Sequence, residues 1–188
     1  MSRMFKNVSL KAMTDRRIGP AAPILVMGVT ACGKSEIARR VSEMFGVPFI
    51  EGDALHPASN IAKMSRSEPL DDADRWPWLA ALADDVERRA VETGGAVFSC
   101  SALKRVYRRH LRDRLPDLIT IFLDLDLETA HKRASHRAGH FMPATLVESQ
   151  FAILERPRAE QNTVCVDARL PIETVVDRAV LAITSNAR

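Results

Sequence analysis

The chain has 188 residues, 46% of them apolar and 27% charged, with 27 Lys and Arg against 24 Asp and Glu for a formal net charge of +3. That length suits one buried core, no run approaches the roughly 18 apolar residues of a membrane span, and the N-terminus lacks the apolar stretch of a signal peptide. Cys32, Cys100 and Cys165 form an odd set without paired spacing, which argues against a disulfide framework or zinc cluster and for reduced thiols in a soluble, cytoplasmic protein.

Residues 1–23 carry Arg3, Lys6, Lys11, Arg16 and Arg17 against Asp15, a local +4 that leaves −1 of the +3 total for residues 24–188. The expectation is a basic, disordered leader, with a transit peptide as the competing reading, followed by one folded domain without the basic excess of a nucleic-acid binder. Ile24 to Met27 reads as a buried strand and Ser35 to Phe45 as a helix stopped by Gly46. Val47 to Ile50 is a short strand delivering Glu51-Gly52-Asp53, and residues 54–70 mix turn chemistry with helical pieces. A longer helix spans Asp71 to Glu92 and closes at Gly94-Gly95. Ala96 to Ser101 is a strand, Lys104 to Leu115 a helix, and Leu118 to Leu123 a strand. Leu127 to Ala138 and Ala144 to Arg156 read as two helices joined by Gly139-His140-Phe141-Met142-Pro143, a small helical lid around 128–156. Asn162 to Asp167 supplies the last strand and Ile172 to Ile183 the last helix. Strands that run apolar without strict alternation are covered on both faces. The expected fold is therefore α/β, a three-layer sandwich of five parallel strands with helices on both sides.

The octapeptide Gly28-Val29-Thr30-Ala31-Cys32-Gly33-Lys34-Ser35 stands between the first strand and its helix. This is the G-x-x-x-x-G-K-S pattern of a P-loop NTPase in its proper setting. Successive N–H groups curl around phosphate oxygens, and the helix that follows points the positive end of its dipole at them. Lys34 reaches the terminal phosphates of ATP and Ser35 places a hydroxyl on Mg²⁺. Ligands belong at the strand ends, where Asp53, Ser101 and Asp124 also emerge. A guanine-reading N-K-x-D is missing, as is an apolar strand ending in a metal-binding Asp beside a catalytic Glu. The size suits a small-molecule or nucleotide kinase with a closing lid.

The P-loop, Glu51-Gly52-Asp53-Ala54-Leu55-His56-Pro57, Asn60, Lys63-Met64, Pro69 to Leu79, Cys100-Ser101-Ala102-Leu103-Lys104, Tyr107-Arg108, Leu111-Arg112, Arg137 to Met142 and Ser149-Gln150-Phe151 together resemble gluconokinase of the small P-loop type, over about residues 24–183. The resemblance implies transfer of the ATP γ-phosphate to the 6-hydroxyl of D-gluconate in carbohydrate metabolism. It also implies a nucleoside-kinase-like fold and, often, a homodimer. The competing readings are a P-loop kinase for shikimate, another sugar acid or a nucleotide, and an ATP-binding protein without turnover.

Gluconate is an anion with many hydroxyls, so its pocket needs cations and paired polar groups; Asp53, His56, Arg75, Lys104 and Arg108 offer such a set. Asp53 is the candidate base for the attacking hydroxyl, with a helix cap as the alternative. Arg75 clamps the carboxylate or rests on an aromatic face. Lys104 and Arg108, four apart, are either pocket cations or a solvated helix pair. Arg133 and Arg137 sit one turn apart on the lid, where they would offset charge on the transferring phosphoryl group; a plain basic helix face is the alternative. His136 and His140 share that spacing with no Glu between them, which argues against a metal site and leaves His140 to bind substrate or cap the lid hinge.

The family usually has Gly at the position of Ala31, often Ser at Cys32, and commonly Gly at Ser67. Ala31 puts a Cβ where the loop calls for positive φ. Cys32, beside Lys34 and a helix N-terminus, is expected to have a lowered pKa, which would open it to alkylation or oxidation; the competing reading is a small loop residue without such a role.

Overall fold

A computed structural model describes residues 22–66, 68–135 and 144–186, with side chains of the last segment described over 146–185. In chain order it contains β1 (Pro23–Met27), α1 (Lys34–Phe45), β2 (Phe49–Glu51), a 3₁₀ turn (Gly52–Leu55), α2 (Ala58–Ser65), α3 (Asp72–Thr93), β3 (Ala96–Ser99), α4 (Arg105–Arg114), β4 (Ile119–Asp124), α5 (Leu127–Ser135), α6 (Ala144–Ile153), β5 (Thr163–Asp167) and α7 (Ile172–Asn186). The basic leader, except for its last two residues, and Ser67 lie outside the described residues. Among those described, no helix is long and apolar enough to cross a membrane.

All five strands pair in parallel in the order β2-β3-β1-β4-β5. The side-chain period of two splits β1 between two cores. Ile24 and Val26 join Ile121 and Leu123 of β4 under α1 and α7, whereas Leu25 and Met27 join Phe98 of β3 and Phe122 of β4 under α3 and α4. Burial on both faces explains why these strands read as continuous apolar runs, and the three-layer α/β expectation holds.

Where element boundaries differ from the sequence reading, local hydrogen bonding gives the reason. Gly46 takes φ 66°, its N–H donates to Glu43 O and the Val47 N–H donates to Ser42 O. This Schellman closure uses the Val47 donor, and Pro48 has none, so β2 begins only at Phe49. β3 stops at Ser99 because Ala102 turns to φ 42°, outside any strand conformation. α3 starts as expected from its own chemistry: the Asp74 N–H donates to Asp71 Oδ1 at 2.9 Å and the Asp71 N–H to Asp74 Oδ2 at 3.0 Å. Such a reciprocal cap stabilises a helix start by about 1 kcal/mol.

The close approach of the β2 end to β3 fixes the turn that carries Asp53. Gly52 is buried there; a Cβ on it would lie 2.1 Å from Ser99 O. Its N–H faces Ser99 Oγ at 3.4 Å and its carbonyl accepts from Trp78 Nε1 at 2.8 Å, while the Ser99 hydroxyl donates to the Glu51 carboxylate. Backbone cannot yield to a methyl group as a flexible side-chain tip can. Gly52→Ala is expected to cost about 3 kcal/mol, a fall in Tm of roughly 6–12 °C for a chain of this size by calorimetry. An unchanged Tm would contradict the packing described.

Candidate active site

The P-loop wraps tightly against the end of β4. Gly28 has φ 147°, and a Cβ there would meet Cys32 Sγ at 2.8 Å and Leu123 O at 2.9 Å. Ala31 has φ 61°, the positive value anticipated for that position, at a cost of about 1–2 kcal/mol for a residue with a Cβ. Gly33, at φ 94°, turns the chain into α1, so Lys34 and Ser35 open the helix with their N–H groups toward the loop. Lys34 Nζ donates to Val29 O at 3.0 Å, which holds the ammonium over the loop. The Thr30 N–H donates to Gln150 Oε1 at 2.7 Å. Gln150 stands on α6, in the Ser149-Gln150-Phe151 motif of the resemblance, and this long-range contact gives it a part in the site.

On the other side of β1 the structure gathers the acceptor candidates. Asp53 is exposed in the 3₁₀ turn, whose N-cap is Glu51 with no side-chain cap bond, so the cap reading of Asp53 does not hold. His56 stacks on Trp78 with centroids 4.0 Å apart and an interplanar angle of 18°, and its Nδ1 lies 3.3 Å from Asn60 Nδ2. Burial holds the imidazole below its ordinary pKa against the upward pull of Asp53, with Arg75 adding to the depression. Folding thus favours neutral His56. Its contribution to stability is present above about pH 6.5 and is lost as pH falls through the lower folded value.

Arg75 Nη2 donates to Leu70 O at 3.2 Å, and its guanidinium carbon lies 5.6 Å from the Tyr107 ring centroid. The aromatic alternative therefore holds in part, with Tyr107 rather than Trp76 or Trp78 as partner. Lys104 Nζ donates to Asp72 Oδ1 at 2.6 Å, and Tyr107 Oη donates to the same oxygen at 2.5 Å. These bonds hold the Asp72 carboxyl below the usual carboxylate range. Asp72 and Tyr107 entered the sequence reading only as members of longer motifs, without a role, because nothing local marks an Asp as the partner of a Lys 32 positions away.

Arg108 is a correction. It is 1% exposed, with Nε and Nη2 on the Glu160 carboxylate and Nη1 on the carbonyls of Ala102 and Leu103. All its donating groups are engaged inside the fold, so it is neither a pocket cation nor a solvated one. The spacing argument failed because Lys104 is the N-cap of α4, with extended backbone at ψ 146°, and the two residues do not share a helix face.

Electrostatic neighbours show how the parts converge. Asp53, Lys34 and Arg75 all act on the buried Cys100 thiol at the end of β3, which burial pushes up to about 12. Arg133, on α5, acts on Cys32 in the P-loop. Arg137, His136 and His140 lie outside the described residues. Among the described residues no group of three His, Cys, Asp or Glu is arranged to hold a metal. Ser35 at the start of α1 is exposed, and its hard hydroxyl oxygen suits an Mg²⁺ ion carried mainly by nucleotide phosphates and water.

The chain aligns with known kinases over most of its length. A family described as Shikimate kinase matches residues 30–183. The thermosensitive gluconokinase of Escherichia coli (strain K12) is 46% identical over 168 residues, covering 86% of this chain and 89% of that protein. The gluconokinase of Gluconobacter oxydans (strain 621H) is 44% identical over 160 residues, covering 84% and 88%. The chain belongs to the gluconokinase family. A crystal structure of a gluconokinase from Sinorhizobium meliloti 1021 superposes with a TM-score of 0.82 at 44% identity, covering 90% of this chain and 95% of that one. The gluconokinase resemblance of the sequence motifs is thus confirmed, and with it the P-loop kinase fold.

The Cys32 expectation is overturned within this frame. The thiol is 3% exposed in the core, and burial raises its pKa against the opposing pull of Lys34 and Arg133. A buried neutral thiol is a poor nucleophile. Brief iodoacetamide treatment at pH 7.5 with peptide mapping is expected to label exposed Cys165 while sparing Cys32 and Cys100. Activity loss tracking Cys32 labelling would contradict this.

Proposed function

We propose that the protein transfers the γ-phosphate of ATP to the 6-hydroxyl of D-gluconate. The observation that carries this reading is that the parallel strand order sets the P-loop after β1, the Asp53 turn after β2 and the turn to Lys104 after β3 side by side at one end of the sheet, with Arg75 and Lys104 against the same Tyr107 ring. The P-loop amides and Lys34 bind and orient the phosphates, and Ser35 contributes one oxygen to Mg²⁺. The ion, when bound, offsets charge on the β- and γ-phosphates. Asp53 orients the acceptor hydroxyl and takes its proton as the new O–P bond forms. Neutral His56 hydrogen-bonds hydroxyls, while Arg75 and Lys104 face the carboxylate. Arg133, on α5, is the candidate to offset charge on the phosphoryl group; the family resemblance gives Arg137 the same role and His140 a part in substrate binding, and both lie outside the described residues.

A cavity of about 310 Å³ at the β4 and β5 ends, lined by Asp124, Asp126, Arg156, Cys165, Asp167 and Arg169 among others, lies on the side of β1 away from the acceptor groups. It is the space we assign to the nucleoside part of ATP. The reading includes a homodimer, which is frequent in the family the chain resembles, and a cytoplasmic setting, which rests on the odd, unpaired set of cysteines.

Steady-state kinetics with MgATP and D-gluconate test the residue roles. Lys34→Ala is expected to lower kcat by roughly a thousandfold or more while the fold is kept. Asp53→Asn is expected to lower kcat by roughly 10²–10⁴-fold with ATP affinity unchanged. Near-normal turnover of Asp53→Asn would remove it as the base.

A further inference from the structure

The turn between β3 and α4 poses a problem that its own residues do not solve. Ala102 sits at φ 42° despite its Cβ, Lys104 caps α4 without a side-chain bond, and the carbonyls of Ala102 and Leu103 point into the protein. Arg108 answers from one turn along α4, with Nη1 2.9 Å from both oxygens. Glu160, 11% exposed at its side chain, then aligns Arg108: it accepts from Nε at 3.0 and 3.1 Å and from Nη2 at 2.5 Å. Arg112 Nη1 reaches the same carboxylate at 2.6 Å. The chain just before Glu160 adds two ties: the Glu155 N–H donates to Leu103 O at 3.0 Å, and the Arg105 N–H to Glu155 Oε2 at 2.5 Å.

We propose that Glu160 is a positioning residue for the acceptor: by aligning Arg108 on the carbonyls of Ala102 and Leu103, it holds the turn that brings Lys104 to the acceptor mouth. A buried ion pair is rarely the most stabilising way to fill a core, since apolar residues of like volume often serve as well. What it offers here is direction. A guanidinium in a fixed fork addresses two carbonyls and a carboxylate at once, which apolar packing does not. The turn held in this way ends at Lys104, whose ammonium meets Asp72 and so stands beside Tyr107 and Arg75.

This inference rests on the gluconate reading of the site, and the wild-type enzyme is therefore the first arm of the test: absence of gluconate phosphorylation there would defeat that reading itself. With wild-type turnover in hand, Glu160→Gln in the full chain is expected to raise the KM for gluconate about tenfold or more while the KM for ATP stays within about twofold. Ile183→Val, on the buried face of α7, is the stability reference, expected to lower Tm with both KM values unchanged. Should Glu160→Gln not yield folded protein, Arg108→Lys takes its place. It keeps a cation opposite Glu160 but cannot span the carboxylate and both carbonyls, and carries the same expectation. A lowered Tm with gluconate KM unchanged, or equal rises in both KM values, would overturn the positioning role and leave Glu160 a stabilising residue only.

Discussion

Parallel pairing of β1 with β3 on one side and β4 on the other is the constraint from which the rest of the molecule follows. Parallel strands send all their C-terminal ends to one edge. The P-loop after β1, the Asp53 turn after β2, the Ala102 turn after β3, and the Asp124 and Asp167 ends of β4 and β5 are therefore neighbours despite separations of up to about 140 residues. Because β1 is central, its loop divides that edge. Polar and cationic acceptor groups collect on the β2–β3 side and a cavity opens on the β4–β5 side. The proposed transfer sets the phosphoryl group at the loop, between the two.

Around that edge, burial decides what each charged or reactive group can do. Cys32 has a cation and a helix start beside it, yet loss of water outweighs both and the thiol stays neutral. Glu160 shows the opposite balance: burial alone would raise its pKa, but the hydrogen bonds and charges of Arg108 and Arg112 prevail and keep it ionised. The difference is the number of donors placed on the charged atom. A carboxylate accepting from two guanidiniums is compensated, whereas the buried thiol loses more with its water than backbone N–H groups and the charges of Lys34 and Arg133 return. Two of the three described non-glycine residues with positive φ stand in the same region, Ala31 in the P-loop and Ala102 in the turn after β3; the third, Asn162, precedes β5. Each of the two alanines is held by a contact from a distant element or a tight neighbour rather than by its own preference.

Features that depend on neighbours in sequence were legible without the structure. The P-loop, the glycine stops at Gly46 and Gly94, the Asp71 helix start and the succession of strands and helices along the chain are written in local patterns, and they stand near where the residues indicated, whereas the sheet order β2-β3-β1-β4-β5 is not written there. The positive φ of Ala31 was readable because a family pattern with glycine there names the backbone conformation. What was not legible depends on long-range partners. Arg108 and Lys104 look alike in the sequence, both basic and next to one short motif, but Glu160, 52 residues on, draws one into the core while Asp72 draws the other to the mouth. Gln150 likewise was visible as part of a motif, but its bond to the Thr30 N–H appears only when α6 is set against the loop. Reading Cys32 from its neighbours counted the charges and left out the burial.

The account stands or falls on the acceptor. The most direct measurement is ADP release by the wild-type chain with MgATP and, in turn, D-gluconate, its epimers, shikimate and nucleoside monophosphates, with the phosphorylated product identified. The account predicts that D-gluconate has the highest kcat/KM by a wide margin and that the phosphate is on its 6-hydroxyl. Preference for shikimate or a nucleotide, or ATP binding without turnover of any acceptor, would contradict it.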